Sequence, residues 1–399
     1  MVSNVAPVIY DPFDPPTHED PDAAFAQLRE ACPVHFNAER EFFTVADSGA
    51  ITGILNDPAT WSSRFRNGLS YHAPAAAPML LDADPPIHSW QRRLLQKAWT
   101  PQLINALEPR VRQVVDALMD GVEAARSCDF HEAIAGPVPT LIIAEFIGVP
   151  DAHREQFRRW SDARVAGTAG MPGHEEAYAQ ASRAIDDYFI EHIADRRALI
   201  ARGTAPDDFT TMVLTTEDAG RHLDDAEVGQ VLALVLLGGI ETTTMHLSNL
   251  LHRVVTEAGL AQRLRDDPGL LGIAVEESMR VDSPTLGLFR TPNTEQSVCD
   301  RVIPADTKTM VLFAAVNRDP KIWPHPDEFR LDREPSRLFR HFGFGHGIHR
   351  CLGAPLARLE GRIVLERIVT RWPGVHYTHP PRRTETMIFR GFVEQPVAW

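Results

Sequence analysis

Cysteine is scarce in this chain, with four residues among 399. They stand far apart, at Cys32, Cys128, Cys299 and Cys351, and none forms a C-x-x-C pair. Disulfide frameworks of small secreted domains and zinc ribbons both need cysteines at short, paired spacings. The pattern therefore predicts reduced thiols and excludes a disulfide-stabilised scaffold.

Long hydrophobic runs are also missing. The longest apolar run, Val231 to Ile240, is followed at once by Glu241, and a bilayer needs about 20 apolar residues in a row. The opening MVSNVAPVIYDPFDPP has neither a basic leader nor an apolar core, as a signal peptide would. We predict no membrane partner and a cytoplasmic location.

Basic residues are fewer than acidic ones. Lysine and arginine number 40 against 54 aspartates and glutamates, for a net charge of −14. Nucleic-acid binding needs lysines and arginines that neutralise phosphates, so we predict no nucleic-acid partner. A composition of 44% hydrophobic and 24% charged residues is typical of a globular enzyme.

Helical periodicity dominates the chain from about residue 88 to 280, and 103–125 is one clear example. Neither a repeat nor a linker divides the sequence, so we predict one domain over 1–399 that is mainly α with minor β. Strand-like runs occupy 41–47, 307–315 and 386–394, within predicted β-rich parts near 35–60, 285–315 and 375–399.

One predicted helix has a clear start. Asp224 is placed as N-cap with Glu227 three residues later, and Leu223 and Val228 are spaced as a hydrophobic staple. If it continues to about Glu257, it is roughly 50 Å long at 1.5 Å per residue. Because its middle is apolar nearly all round, we expect it to be buried.

Within this helix lies GGIETTT, residues 238–244. Two adjacent glycines cost about 1 kcal/mol each relative to alanine, and Glu241 interrupts an apolar run where its desolvation is expensive. Thr242 can bond a carbonyl one turn back and open the helix locally. The combination favours a groove where a ligand approaches the backbone; the alternative is helix-packing glycines with a solvent-exposed glutamate.

The segment FGFGHGIHRCLG, residues 342–353, is the densest in unusual residues, with four glycines, two histidines and one cysteine. It is either a metal or cofactor site or a flexible turn. A zinc site would draw on His341, His346, His349 and Cys351, but no second half with paired ligands is present.

The spacing of Phe344, Gly347, Cys351 and Gly353 resembles the haem-binding loop of the cytochrome P-450 monooxygenases, soluble bacterial members in particular. Further segments resemble other motifs of the family, in the family's order, from about residue 20 to the C-terminus. The resemblance implies a helix-rich subdomain and a small β-rich subdomain around a buried haem. The other matching segments are DPPIHSWQRRL (84–94), GGIETT (238–243), EESMR (276–280), NRDP (317–320) and PDEFRLDR (326–333).

The resemblance implies haem b (iron protoporphyrin IX) with Cys351 as the axial ligand of iron, because thiolate ligation favours O–O cleavage. A predicted helix over 352–369 follows immediately, so its N–H groups can face the sulfur. Phe344, Gly345 and Gly353 are the other loop residues expected at the haem.

Further residues take roles by the same resemblance. The haem propionates would be held by His88, Arg92, Arg290 and His349. A buried scaffold network would join Glu277 and Arg280 to Arg333.

The implied reaction consumes dioxygen, two electrons and two protons and inserts one oxygen atom into the substrate. Thr242 would organise water and Glu241 would relay protons, which argues against the alternative of a ligand-binding or peroxide-using protein without normal turnover. A hydrophobic small molecule is the expected substrate. Its pocket would be lined by Leu234, Val235, Gly238, Leu286, Leu288 and Ile388.

No flavin or nicotinamide domain follows Trp399, so NAD(P)H would act only indirectly, through a reductase and an iron–sulfur ferredoxin or a flavodoxin. One departure from the family pattern is Asp306, where glycine is commoner. The candidate docking cations are Arg93, Arg110, Arg112, Arg337, Arg340, His346, Arg350 and Arg358.

Overall fold

The computed structural model describes residues 10–66, 69, 73–153, 155–157, 159–160, 163 and 175–399. Parts of the predicted single domain and of the helical region 88–280 lie outside these residues. The described helices are Pro15–Glu19, Pro21–Ala31, Ser48–Asn56, Ile87–Ala98, Pro101–Ala106, Glu108–Glu123, Pro137–Ile147, Glu175–Arg202, Phe209–Thr215, Asp225–Thr256, Leu260–Asp266, Leu271–Asp282, Phe313–Asn317, Pro335–Leu338 and Ala354–Arg371. The chain is mainly helical, as predicted.

The strands form small sheets. The strands Val34–Asn37, Phe42–Val45, Thr309–Leu312, Gly287–Pro292 and Trp61–Ser62 make a five-stranded sheet in that spatial order. Adjacent strands within this sheet run antiparallel, except that Phe42–Val45 and Thr309–Leu312 run parallel to each other. Ser127–Asp129, Pro396–Ala398 and His376–Tyr377 form a second sheet, and Gln296–Val298 with Arg301–Ile303 and Arg382–Arg383 with Phe392–Glu394 form two-stranded pairs.

The central helix, Asp225–Thr256, runs for 32 residues and begins with the predicted capping box between Asp224 and Glu227. It packs against the helices Pro137–Ile147, Glu175–Arg202 and Ala354–Arg371, and the last of these is called the C-terminal helix below. By length and composition alone the central helix is apolar enough to cross a membrane, but 56% of its most apolar window is buried inside the protein. The prediction of a buried core helix is confirmed.

Two sequence predictions were wrong in detail. The helix predicted over 103–125 is interrupted at Leu107, between Pro101–Ala106 and Glu108–Glu123. Pro109 has no N–H to donate to the carbonyl of Asn105, so an uninterrupted helix would lose that hydrogen bond.

The strand predicted over 386–394 is confined to Phe392–Glu394. Before it the chain turns, since the Phe389 N–H donates to the Thr386 hydroxyl at 2.8 Å. Asp306 adopts the left-handed conformation, with φ +59°. The turn thus keeps the geometry for which glycine is commoner, because aspartate tolerates this conformation better than most residues.

Candidate functional site

The cysteine loop, residues 342–353, is built from two 3₁₀ turns, Phe342–Phe344 and Gly347–His349. The Cys351 N–H donates to the Phe344 carbonyl at 2.8 Å, which folds the loop back on itself. Gly347 has φ +70°, and a Cβ there would lie 2.6 Å from the Leu55 carbonyl oxygen. Only glycine fits this position, where the loop packs closely against the helix Ser48–Asn56, and this close packing argues against a flexible turn.

The side chain of Cys351 is accessible although protein atoms surround it. Its side chain is exposed, yet burial raises the pKa of its thiol. Hydrogen bonds from the backbone N–H groups of Gly353 and Ala354 and the charge of Arg92 act in the opposite direction and favour the thiolate. The sulfur lies just before the C-terminal helix, Ala354–Arg371, crowded by protein atoms but still accessible to a ligand.

Four cationic or donor side chains meet near this loop. The rings of His88 and His349 lie 4.2 Å apart. Burial first, and then the charges of Arg290, His88 and Arg92, lower the pKa of His349 to about 2. Burial and Arg92 likewise lower the pKa of His88 to about 4, against the attraction of Asp84. Both imidazoles are therefore neutral at pH 7, and the positive charge of the cluster lies on Arg92 and Arg290.

The same four side chains have few partners among the described residues. His349 shares a 3.1 Å hydrogen bond with the Ser63 hydroxyl, and Arg92 donates to the Arg350 carbonyl at 2.7 Å. Arg290 donates to its neighbouring carbonyl, and burial lowers its pKa to about 10. Nδ1 of His88 is buried and has no hydrogen-bond partner in the described structure. A buried imidazole nitrogen without a partner, close to Arg92 and Arg290, fits the two carboxylates of a haem.

The central helix presents one open face. Leu234, Gly238 and Thr242, spaced four residues apart, and Val235 are partly or fully exposed, as are Leu237 and Gly239 between them. The Thr242 hydroxyl donates to the Gly238 carbonyl at 2.7 Å. This is the predicted bond one turn back, but the helix stays continuous through it.

Glu241 lies beside this open face. It is only 8% exposed, so the alternative of a solvent-exposed glutamate is wrong. A buried acid and an accessible hydroxyl at consecutive positions of one helix are suited to passing protons toward the open face.

The other residues predicted to line the substrate pocket differ in exposure. Leu288 is partly exposed, whereas Leu286 and Ile388 are 6% and 8% exposed in a core cluster with Phe25 and Phe42. The backbone N–H of Leu286 donates to the Ile388 carbonyl at 2.7 Å. Their place in the substrate pocket stays a prediction.

The scaffold network is present as expected from the motif. Arg280 donates to both carboxylate oxygens of Glu277, at 2.9 and 2.7 Å, and Arg333 donates to Glu277 at 2.8 Å. Glu277 and Arg280 are fully buried. The network also ties the chain after Asn317 to this helix, since Arg280 donates to the Asn317 and Pro326 carbonyls.

Sequence reasoning missed a second network beside the first. Glu276 accepts hydrogen bonds from Arg358 and, at 3.0 Å, from His341. The only signal was the first glutamate of EESMR, next to the predicted Glu277. His341 is thereby engaged, and the described part of the chain contains no group of three metal-ligating side chains, so the zinc alternative was wrong.

The predicted docking cations fall into two groups. Arg93 pairs with Asp218, Arg110 with Glu145, Arg112 with Glu108 and Glu366, and Arg358 with Glu276. The ring of His346 stacks on Phe342 at 4.6 Å. The second group is exposed and pairs with no carboxylate among the described residues. It consists of Arg337, Arg340 and Arg350.

Comparison with known proteins gives a consistent result. The family model for cytochrome P450 matches residues 169–268 and 269–397. The chain is 35% identical to "Cytochrome P450 107B1" of Saccharopolyspora erythraea over 82% of this chain and 78% of the relative. It is 31% identical to "Cytochrome P450 monooxygenase PikC" of Streptomyces venezuelae over 95% of this chain and 91% of that one.

Solved structures agree. The crystal structure of CYP109E1 from Bacillus megaterium in complex with corticosterone superposes with a TM-score of 0.85 at 26% identity, over 96% of this chain and 99% of that chain. The predicted fold is therefore confirmed.

Proposed function

Since this chain belongs to the cytochrome P450 family and is a haem-iron monooxygenase acting on a small molecule, we propose that Cys351 is the axial ligand of its haem b. The observation that carries this is the sulfur of Cys351, which is accessible, enclosed by protein and bonded by the N–H groups of Gly353 and Ala354. These two donors stabilise the thiolate that iron ligation requires.

When bound, the haem supplies the reductive activation of dioxygen and the insertion of one oxygen atom into the substrate. His88, Arg92, Arg290 and His349 hold its propionates: the two arginines carry the positive charge, and the two neutral imidazoles offer hydrogen bonds. The carboxylates would pair with the two arginines and would give Nδ1 of His88, which has no partner among the described residues, a hydrogen-bond partner. Phe344, Gly345 and Gly353 complete the loop around the ligand cysteine.

Glu241 and Thr242 deliver protons. The Thr242 hydroxyl uses its own hydrogen on the Gly238 carbonyl, so its oxygen lone pairs are available to orient a water molecule on the open face of the helix. Buried Glu241 supplies the proton to that water. An acid and alcohol at adjacent positions favour the use of dioxygen and electrons over the use of peroxide.

The substrate is proposed to be a hydrophobic small molecule that lies against Leu234, Val235, Gly238 and Leu288. These side chains are apolar and partly accessible, and the similarity to a protein crystallised with corticosterone supports an apolar ligand. Electrons derive from NAD(P)H through a reductase and a ferredoxin or flavodoxin, and the protein works in the cytoplasm. The exposed Arg337, Arg340 and Arg350 are proposed to dock the electron donor.

The absorption of the reduced, carbon-monoxide-bound protein tests the ligand assignment. Wild type should show the strongly red-shifted band of thiolate ligation, and Cys351→Ser should lose it. Cys299→Ser, which removes another exposed cysteine, is the matched control and should keep the band. An unchanged spectrum in Cys351→Ser would refute the assignment.

A further inference from the structure

Glu276 joins two segments on either side of the ligand cysteine. Its carboxylate is 2% exposed and accepts hydrogen bonds from Arg358, seven residues after Cys351, and from His341, ten residues before it. Burial opposes ionisation of Glu276, but these two partners lower its pKa to about 2. Glu276 is therefore ionised at neutral pH.

The His341 ring is fixed in one tautomer. The Gly343 N–H donates to Nδ1 at 3.0 Å, so Nδ1 is the acceptor and the ring proton sits on Nε2, which donates to Glu276 at 3.0 Å. Burial lowers the pKa of His341, which keeps the ring neutral. In this network Arg358 is thus the cation that balances the carboxylate of Glu276.

Arg358 reaches the cysteine loop directly. Its guanidinium lies over the Phe344 ring, 4.4 Å from the centroid, and the Phe344 carbonyl accepts the Cys351 N–H at 2.8 Å. The positive charge of Arg358 therefore lies close to the loop that carries Cys351. Only 26% of the Arg358 side chain is exposed, so this charge is poorly screened by water.

We propose that Glu276 is a positioning residue that holds the guanidinium of Arg358 against Phe344 and so sets the reduction potential of the haem iron. This inference rests on the proposed ligation by Cys351. A nearby positive charge stabilises the reduced form, which carries one more negative charge than the oxidised form. Without Glu276 the flexible arginine would be free to extend into solvent, where its charge is screened.

A double-mutant cycle on the haem-loaded protein tests the coupling. The midpoint potential is measured by chemical titration with mediators, independently of any protein donor, in wild type, Arg358→Gln, Glu276→Gln and the double variant. We expect Arg358→Gln to shift the potential to more negative values in the wild-type background and to have little effect in the Glu276→Gln background. An equal shift in both backgrounds, or no shift in either, would overturn the proposal.

Control variants distinguish the effect of the position of Arg358 from the loss of one positive charge and from a failure of the Glu276 variant to fold. Arg362→Gln removes an equal charge one helical turn farther from Cys351, where Arg362 pairs with Glu108, and should shift the potential less than Arg358→Gln does. If Glu276→Gln does not fold, Glu276→Asp keeps the charge on a shorter side chain and should still reduce the effect of Arg358→Gln. Loss of the thiolate spectrum in wild type would refute the ligation itself, whereas equal shifts with an intact spectrum refute only the role of Glu276.

Discussion

The hydroxyl of Thr242 makes a hydrogen bond within its helix and is also proposed to take part in proton delivery. Its donated hydrogen bond to Gly238 fixes the side-chain rotamer, so its oxygen is held in a constant position on the open face. A fixed acceptor beside that space can hold one water in place, whereas a freely rotating hydroxyl cannot. The role that we propose for Thr242 is therefore positional, with the proton supplied by another group.

Replacing Thr242 by alanine should uncouple electron use from product formation. Without the hydroxyl, the ordered water is lost, and we expect most of the NADH consumed to appear as hydrogen peroxide. Thr242→Ser keeps the oxygen and should retain most of the coupling. The measurement is the ratio of product and peroxide to NADH consumed, with surrogate ferredoxin and reductase. Tight coupling in the alanine variant would contradict the proton-delivery role.

Glu360, on the C-terminal helix, predicts a dependence of stability on pH. Burial raises its pKa from 4.5 to about 8, and one oxygen has no hydrogen-bond partner among the described residues. The carboxyl is protonated in both states below pH 4.5. Between pH 4.5 and 8 only the unfolded state ionises, so folding loses stability as pH rises. A pKa difference of one equals about 1.4 kcal/mol, so the loss reaches as much as about 5 kcal/mol at pH 8.

Glu360→Gln should remove this loss. We expect the variant to exceed wild type in free energy of unfolding at pH 8 by a few kcal/mol, and by much less at pH 5, in urea denaturation. Glu176→Gln, at a position exposed on the helix Glu175–Arg202, should change stability little at either pH. A difference from wild type that is the same at both pH values would contradict the explanation.

Single residues were predictable where a motif fixes their neighbours. Cys351, Glu277 and Arg333 stand at recognisable spacings, and the structure brings Glu277 and Arg333 together. Glu276 and Arg358 were not predicted as partners, because 82 residues separate them and each side chain alone is ordinary. Only the packing of the helix Leu271–Asp282 against the C-terminal helix brings them into contact.

At the scale of the element, the two glycines of the central helix have different reasons to be there. A Cβ on Gly238 would meet nothing within 4 Å, since that position faces open space. A Cβ on Gly239 would lie 2.9 Å from two atoms of Ile143 on the helix Pro137–Ile147. Gly239 therefore allows close helix packing, and Gly238 leaves room on the open face.

This difference predicts opposite effects for the two alanine variants. Gly238→Ala should gain up to about 1 kcal/mol of stability from helix propensity but weaken the spectral response to apolar ligands, because the methyl group enters their space. Gly239→Ala should lose about 1–3 kcal/mol through overpacking. Urea denaturation and ligand titration measure both, and Ile143→Ala should partly rescue Gly239→Ala. Equal stability of the two variants would contradict the assignment.

Helix starts were more predictable than helix and strand interruptions. The capping box at Asp224 and Glu227 is local and was read correctly. The break at Leu107 and the turn at Thr386 depend on how the chain packs as well as on local pattern. The strand Ser127–Asp129 was missed because it gains its partner from Pro396–Ala398, far away in sequence. Local sequence therefore predicts where a helix begins better than where it is interrupted or which partner a strand pairs with.

At the scale of the whole molecule, net charge and local charge have opposite signs. The chain carries −14 overall, yet Arg337, Arg340 and Arg350 form an exposed basic patch next to the cysteine loop, with Phe339 41% exposed among them. Arg350 donates to the Phe339 carbonyl at 3.1 Å, which holds the patch together. An aromatic side chain surrounded by arginines is a typical centre of a protein interface.

The basic patch should be needed for electron delivery by an acidic ferredoxin. We expect Arg340→Gln to raise the ferredoxin concentration for half-maximal reduction several-fold at low ionic strength, with little effect at high salt, because screening removes the attraction. Arg110→Gln removes an arginine already neutralised by Glu145 and should have little effect at either salt concentration. Stopped-flow reduction under carbon monoxide measures both variants. Equal effects, or a loss independent of salt, would show that the electron donor docks elsewhere on the molecule.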